Sequence, residues 1–302
     1  MAAEVGSRVQ YVPVKYQAYP WQRGSPEVWI SPKLKSIAEQ LRQYSSPGSS
    51  ADEDGGVTSS VGMPASVASL NDLNVFPTKK RAAVLVCLHQ TPEGELRVIL
   101  TKRTASMSSH SGEVCLPGGK RDEGDVDDTV TALREAQEEI GLEPSHVRVV
   151  AVLEQFLSKD LLGVTPVIGL LDDVSNFRAV VNPHEVESLF EAPLEMFLKE
   201  SEKHWFEERV WLGVKYRVHF FDYTTHLGEK FLIWGLTASI LIRSASLVYQ
   251  REPDFVEFAP DFSAIVNSSK ALGGKSVDSL GATPEKNSEE SVLSWPGPPS
   301  RL

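Results

Sequence analysis

The sequence of 302 residues contains only two cysteines, Cys87 and Cys115. So few thiols exclude a disulfide framework and suit a reducing compartment. No apolar run approaches the roughly 20 residues that span a bilayer. The longest candidates, Ala82–Leu88 and Phe231–Ile242, read as buried elements, so no membrane partner is expected. Positive charge is also scarce: 30 Lys and Arg stand against 41 Asp and Glu, a formal net charge of −11. A general nucleic-acid binder leaves the opposite footprint, so nucleic acid is not an expected partner either. A small anionic substrate remains compatible, because local charge and metal ions govern such a site. The first 24 residues hold Arg8, Lys15 and Arg23 beside Glu4 and several aromatics, without an apolar core. They do not form a secretory signal and resemble a mitochondrial presequence only weakly. No internal repeat is present.

A hydrophobic content of 41% is enough for one well-buried domain with extensions. We divide the chain into an extension over 1–77 with a short helix and a linker, an ordered body over 78–262, and a disordered tail over 263–302. Ser31-Pro32 before Lys33–Tyr44 reads as an N-cap, a first-turn proline and an amphipathic helix with Leu34, Ile37, Leu41 and Tyr44 on its buried stripe. Ser45–Ser69, rich in Ser, Gly and acids, reads as a flexible linker, and Ser263–Leu302 has a similar composition.

Within the body, Arg81–His89 and Leu96–Lys102 read as strands joined by the turn Thr91-Pro92-Glu93-Gly94. Val147–Leu157 and Val164–Leu171 read as further strands. Glu187–Leu198, interrupted by Pro193, reads as a strand or a short helix. Val210–Tyr223 reads as a hairpin turning near Leu212-Gly213-Val214, and Trp234–Ser246 as a second amphipathic helix. Between the strands lies a helix with Val130, Leu133, Ala136 and Ile140 on one face and Gly141 as its stop. This order suits an α/β/α sandwich around a mixed β-sheet.

That central helix carries the chemistry. Glu135, Glu138 and Glu139 recur at spacings of three and four, which makes them neighbours on one face. Crowded carboxylates repel each other unless cations sit among them. Hard divalent ions such as Mg²⁺ or Mn²⁺ take oxygen ligands and bridge carboxylates to substrate phosphates. Arg134, four residues before Glu138, is positioned to hold a glutamate in one rotamer. Gly118 and Gly119 let the chain turn close to this face. A solvated acidic helix face has the same spacing but does not require the preceding Pro-Gly-Gly or the following Gly-Leu.

The run Arg134-Glu135-Ala136-Gln137-Glu138-Glu139-Ile140-Gly141-Leu142 resembles the second half of a Nudix box. The first half departs from the family pattern. Gly119 lies one residue too far from Arg134, and Asp125 or Val126 falls where a Glu is usual. A second signature, Ile99-Leu100-Thr101-Lys102-Arg103-Thr104, then Gly112 and Leu116-Pro117-Gly118-Gly119, resembles the coenzyme A diphosphatase branch of that family. Thr104, Ser108 and Leu116 replace the branch's Ser or Ala, Arg and Phe. The likeness is strongest to plant members and runs from about Pro32 to Pro260.

The resemblance implies a Nudix sandwich and metal-dependent hydrolysis of the diphosphate of coenzyme A or acyl-CoA, giving 3′,5′-ADP and (acyl-)4′-phosphopantetheine. Glu135, Glu138 and Glu139 would be metal ligands, one of them the base, with Arg134 as organiser. Gly118 and Gly119 would approach the metals, while Lys102, Arg103 and Lys120 would meet the 3′-phosphate. Two alternatives stay open: a Nudix diphosphatase of another nucleoside diphosphate compound such as ADP-ribose or NADH, and an inactive nucleotide-sensing domain. Glu185 or Glu187 is a candidate distant acid. Cys115, His110, His184, Phe156, Trp211 and Trp234 read as structural residues. Ser300-Arg301-Leu302 resembles a terminal peroxisomal signal. It would engage an import receptor and place the protein in the peroxisome, with mitochondrion and cytosol as alternatives.

Overall fold

A computed structural model describes residues 29–44, 80–106, 111–158, 162–211 and 214–258. The linker at Ser45–Ser69, the tail at Ser263–Leu302, the first 24 residues, His110 and the Leu212-Gly213 turn lie outside the described residues. Helix α1, Pro32–Leu41, begins as its sequence requires: the Ser31 hydroxyl accepts from the Leu34 N–H at 3.1 Å and Pro32 opens the first turn. Leu34, Ile37, Ala38 and Leu41 are buried. Tyr44 is half-buried, and its hydroxyl reaches Glu154 Oε2 at 2.6 Å.

Strands β1 (Arg81–Gln90) and β2 (Leu96–Arg103) form the antiparallel pair expected around the Thr91–Gly94 turn. There follow β3 (Val114–Cys115), β4 (Gly118–Lys120), helix α2 (Asp128–Ile140), β5 (Val147–Val152), β6 (Phe156–Leu157), β7 (Gly163–Leu171) and β8 (Val186–Pro193). These strands make one mixed sheet in the order β3-β2-β1-β7-β5, with β4 beside β1, β6 beside β7 and β8 beside β2. β1 runs parallel to β7 and antiparallel to its other partners.

Because β1 is central, both of its faces are apolar. Val86 and Leu88 join the cluster containing α1, while Ala83, Leu85 and Cys87 pack under α2 against Ala132, Leu133, Ala136 and Ile140. The remaining elements are β9 (His204–Trp211), β10 (Val214–Thr224), β11 (Lys230–Trp234) and α3 (Gly235–Tyr249). β9 to β11 form a three-stranded antiparallel meander. Helix α3 brings Ile240, Leu241 and Ala245 into the α1 cluster. The result is an α/β/α sandwich, as expected. Among the described residues no helix is long and apolar enough to cross a membrane.

Several elements differ from the sequence reading. The strand expected over Val147–Leu157 is two strands. Pro166 of β7 accepts from the Leu153 N–H at 2.9 Å but has no N–H to return. Glu154, beside it, is buried and drawn to Arg243 Nε at 2.7 Å. Glu187–Leu198 contains both expected alternatives, β8 and then a 3-10 turn over Leu194–Leu198. The hairpin begins earlier than expected, at His204. Trp234 is the residue before α3 and ends β11. On α2, Val130 is only half-buried, and Ala132 takes the core position instead.

Candidate active site

Helix α2 is fixed at both ends. The Asp127 carboxylate accepts from the Val130 N–H at 2.9 Å, an N-cap that also suits the helix dipole. At the other end Gly141 sits at φ +69°, the left-handed conformation that glycine adopts without strain. The loop before β8 then closes over the last carbonyls. Val180 N–H donates to Ile140 O at 3.0 Å, and Asn182 N–H to Glu139 O at 2.8 Å. That docking sets Glu185 where its charge acts on both Glu135 and Glu139.

Arg134 is the hub. Its Nε donates to Asp125 Oδ1 at 3.1 Å and its Nη2 to Asp125 Oδ2 at 3.0 Å, a bidentate pair. Nη1 donates to Glu138 Oε2 at 2.9 Å, and Nη2 also reaches Lys120 O at 3.1 Å and Glu135 Oε1 at 3.0 Å. Asp125 accepts in addition from the Thr131 hydroxyl at 2.9 Å and the Asp122 N–H at 3.0 Å. Burial opposes ionisation of Asp125, yet its bonds to Arg134, Asp122 and Thr131 hold the carboxyl below the usual range. Burial also works against the charged guanidinium, and the Asp125 hydrogen bonds with the surrounding carboxylates outweigh it, holding Arg134 above its ordinary value. Of the two positions left open for the upstream acid, Asp125 is buried in this network, whereas Val126 is 67% exposed.

Glu139 is treated differently by its surroundings. It is 2% exposed, with Oε2 accepting from the Gly118 N–H at 3.2 Å and Oε1 from Arg103 Nη1 at 3.4 Å. Burial, reinforced by Glu135 and Glu185 and only partly offset by Arg103 and Gly118, pushes its carboxyl up to about 8. Glu135 is also raised, chiefly by burial, with Arg134 opposing and Glu138 and Glu185 adding to the shift. Gly119 explains the close packing here: a β-carbon on it would lie 2.5 Å from the Glu135 carboxylate. Gly118, at φ +155°, would drive a β-carbon into the Ala83 carbonyl.

The sequence-derived candidates therefore fall into separate places. Glu135 and Glu139 lie inside, with Glu185 facing them. Glu138 lies on the exposed rim, bonded to Arg134. Arg103 faces Glu139, whereas Lys102 Nζ pairs with Glu187 Oε1 at 2.6 Å. Burial pushes the Cys115 thiol up to about 12, Arg103 opposing and Glu113 and Glu139 adding to it, so it stays protonated beside the cluster. His184 contributes its backbone carbonyl to the Thr104 hydroxyl at 3.2 Å.

The donor set suits a hard divalent cation. Glu135, Glu139 and Glu185 offer oxygens only; burial raises the first two and the neighbouring carboxylates add to it, a setting that a cation would relieve. Among the described residues no three acidic, His or Cys side chains enclose an ion alone. Such an ion would complete its shell from water and substrate phosphate, as Mg²⁺ commonly does.

The NUDIX domain model matches residues 79–215. Nudix hydrolase 15, mitochondrial, of Arabidopsis thaliana is 57% identical over 210 residues, covering 69% of this chain and 72% of that one. Nudix hydrolase 22, chloroplastic, from the same plant is 50% identical over 242 residues, covering 76% of this chain and 78% of the relative. The peroxisomal coenzyme A diphosphatase of Mus musculus is 39% identical over 163 residues, covering 54% and 68%. With this motif geometry and these relatives, the chain belongs to the Nudix hydrolase family, in the company of its plant members.

Proposed function

We propose that this Nudix hydrolase cleaves the diphosphate of coenzyme A and acyl-CoA with Mg²⁺ or Mn²⁺, releasing 3′,5′-ADP and (acyl-)4′-phosphopantetheine. The observation that carries the hydrolytic part is the pairing of half-buried Glu135 with buried Glu139, both raised by burial and raised further by the charge of Glu185. The substrate part rests on the Ile99–Thr104 and Leu116–Gly119 signature and on the mouse relative named as a coenzyme A diphosphatase.

Glu135 and Glu139 would hold the cation, with Glu138 at the rim. When bound, the cation supplies an activated water and compensates charge on the phosphoryl oxygens. Around it, Arg134 restrains Glu135 and Glu138, and Asp125 restrains Arg134. Water adds to phosphorus, the bridging P–O bond breaks, and one carboxylate takes the proton of the attacking water. Arg103, which already faces Glu139, would meet a substrate phosphate, and Lys102 would have to leave Glu187 to join it. Lys120 would be a further cation, and Gly118 and Gly119 would admit the diphosphate to close range.

The test is product analysis after incubation with CoA and Mn²⁺. Formation of 3′,5′-ADP and phosphopantetheine, lost in Glu139→Gln, is expected. Strong preference for ADP-ribose or NADH would overturn the substrate assignment, and no metal-dependent turnover of any panel member would favour a nucleotide-sensing role. For the compartment, we read Ser300, Arg301 and Leu302 as an address for a peroxisomal import receptor, in line with the mouse relative's designation. An amino-terminally tagged chain should lose its punctate distribution when these three residues are removed. A mitochondrial distribution, matching the first plant relative's designation, would overturn that reading.

A further inference from the structure

We propose that the free edge of β9 is a self-association surface, on which a second copy of this chain adds its own β9 antiparallel about a two-fold axis. β9 pairs with β10, and among the described residues no strand lies on its other side. The direction of its unused backbone groups follows from β10. The Arg217 N–H donates to Phe258 O at 2.8 Å, away from β9, although Arg217 stands opposite Glu208. Arg217 and Glu208 are thus a non-hydrogen-bonded pair, which turns the Glu208 amide and carbonyl outward. By strand alternation Phe206 and Val210 also present their backbone groups to the free edge.

Such an edge recruits another strand unless it is blunted. β9 has no proline, and two of its outward-paired residues are apolar and accessible: Phe206 is 41% and Val210 58% exposed. The charges on this strand favour a copy of itself. A two-fold axis normal to the sheet keeps each face on its own side and sets one residue against its own copy; the registers that overlap most of β9 centre on Glu207, Glu208 or Arg209. Each of these sets a charge against its own copy at the axis, and the register on Glu208 is the one that also sets opposite charges beside it. Centring on Glu208 places Glu207 opposite the second copy's Arg209 and Phe206 opposite its Val210, each twice by symmetry. The like pair at the axis is answered by Arg217, whose Nη2 donates to Glu208 Oε1 at 3.2 Å. In this register the outward groups of Phe206, Glu208 and Val210 meet as hydrogen-bonded pairs. The two meanders become one continuous antiparallel sheet.

Sedimentation velocity of the full chain over a wide concentration range tests this. The wild type should sediment as a reversible dimer, and Val210→Lys should self-associate about tenfold more weakly or worse. Val210 is exposed and belongs to the three-stranded sheet, not to α2 or the glycine loop, so Val210→Lys should retain wild-type diphosphatase activity. Should that variant misfold, hydrogen exchange on the wild type decides instead: the Phe206, Glu208 and Val210 amides should gain protection as concentration rises. A monomer at every concentration, a dimer untouched by Val210→Lys, or a dimer in which those three amides gain no protection would each overturn the proposal. None of these outcomes depends on which diphosphate the enzyme cleaves.

Discussion

Two regions of this molecule bury titratable side chains by opposite means. At the start of the acidic helix, Arg134 of α2 and Asp125 of the loop before it are surrounded by counter-charge, and every nitrogen of the guanidinium has a carboxylate or carbonyl partner. Between β9 and β10, His204 Nε2 meets His219 Nδ1 at 3.0 Å, and the rings are packed among Phe206, Phe221 and Phe255. The first arrangement keeps charge in the interior and the second expels it. The proposed cation site needs the first kind, and Glu139 stands at its edge: a buried carboxylate whose partners, Arg103 and the Gly118 N–H, only partly offset its burial.

The sharpest way to separate scaffold from reactive group is Glu139→Gln. The amide keeps the shape and can still accept from Gly118, but it offers no charge. Turnover of CoA with Mn²⁺ should fall by about 10²–10⁴-fold, the range typical for losing a positioned acid–base or ligand group. Thermal stability should hold, because a buried ionisable group has been removed. A variant with wild-type turnover would show that Glu139 belongs with the scaffold.

Asp125→Ala should do the reverse. It leaves the Arg134 guanidinium buried without its bidentate partner, and breaking such a pair costs about 3–5 kcal/mol. Urea denaturation followed by circular dichroism measures this. Asp125→Asn, which keeps one acceptor oxygen, should cost less. Turnover in both should drop only as far as Arg134 loses its hold on Glu135 and Glu138. A variant as stable as the wild type would mean that Glu138, Glu135 and the Lys120 carbonyl suffice.

Gly119→Ala probes the boundary between the two roles. The new methyl would sit 2.5 Å from the Glu135 carboxylate, so the flexible end of that side chain must swing away. A displacement of this kind can cost on the order of 10- to 100-fold in rate, with little loss of stability since Glu135 has somewhere to go. Unchanged kcat would mean that Glu135 reaches its working position from elsewhere.

These contrasts were unequally legible in the amino-acid sequence. α2 was readable because its determinants are local: the glutamate spacing, Arg134 four residues before Glu138, and Gly141 as its stop. α1 was readable for the same reason, through Ser31 and Pro32. Asp125 was visible as one of two positions for an upstream acid, but its role depends on a guanidinium nine positions on and on folding of the intervening loop. Glu185 was one of two distant candidates. What distinguishes it from Glu187 is the backbone docking of Val180 and Asn182 onto the end of α2, which leaves no side-chain signal. The break between β5 and β6 was hidden because Glu154 finds its partners at Tyr44 and Arg243, far away in both directions along the chain.

The smallest expected effect belongs to the histidine pair and tests whether its neutrality is structural. Burial pushes both rings down to about 4, with His204 and Arg217 adding to the depression at His219. His204 faces His219, Phe221 and Phe255, His219 faces Phe206 and Phe255, and the charged group acting on the pair is Arg217, so among the described residues no carboxylate favours protonation. An unfolded histidine binds its proton near 6.5, and between that value and about 4 the unfolded chain therefore holds more protons than the folded one. By linkage this stability is fully present above pH 6.5 and is lost as pH falls toward 4. Because His204 is only half-buried, the loss should be discounted to about 1–2 kcal/mol, a fall in Tm of about 2–8 °C. The double variant His204→Phe/His219→Phe removes both titrations while keeping aromatic volume in an aromatic cage. Its Tm between pH 7 and pH 4 should fall less steeply than that of the wild type. Parallel slopes would assign the acid sensitivity to the carboxylates around α2 and leave the histidines as packing alone.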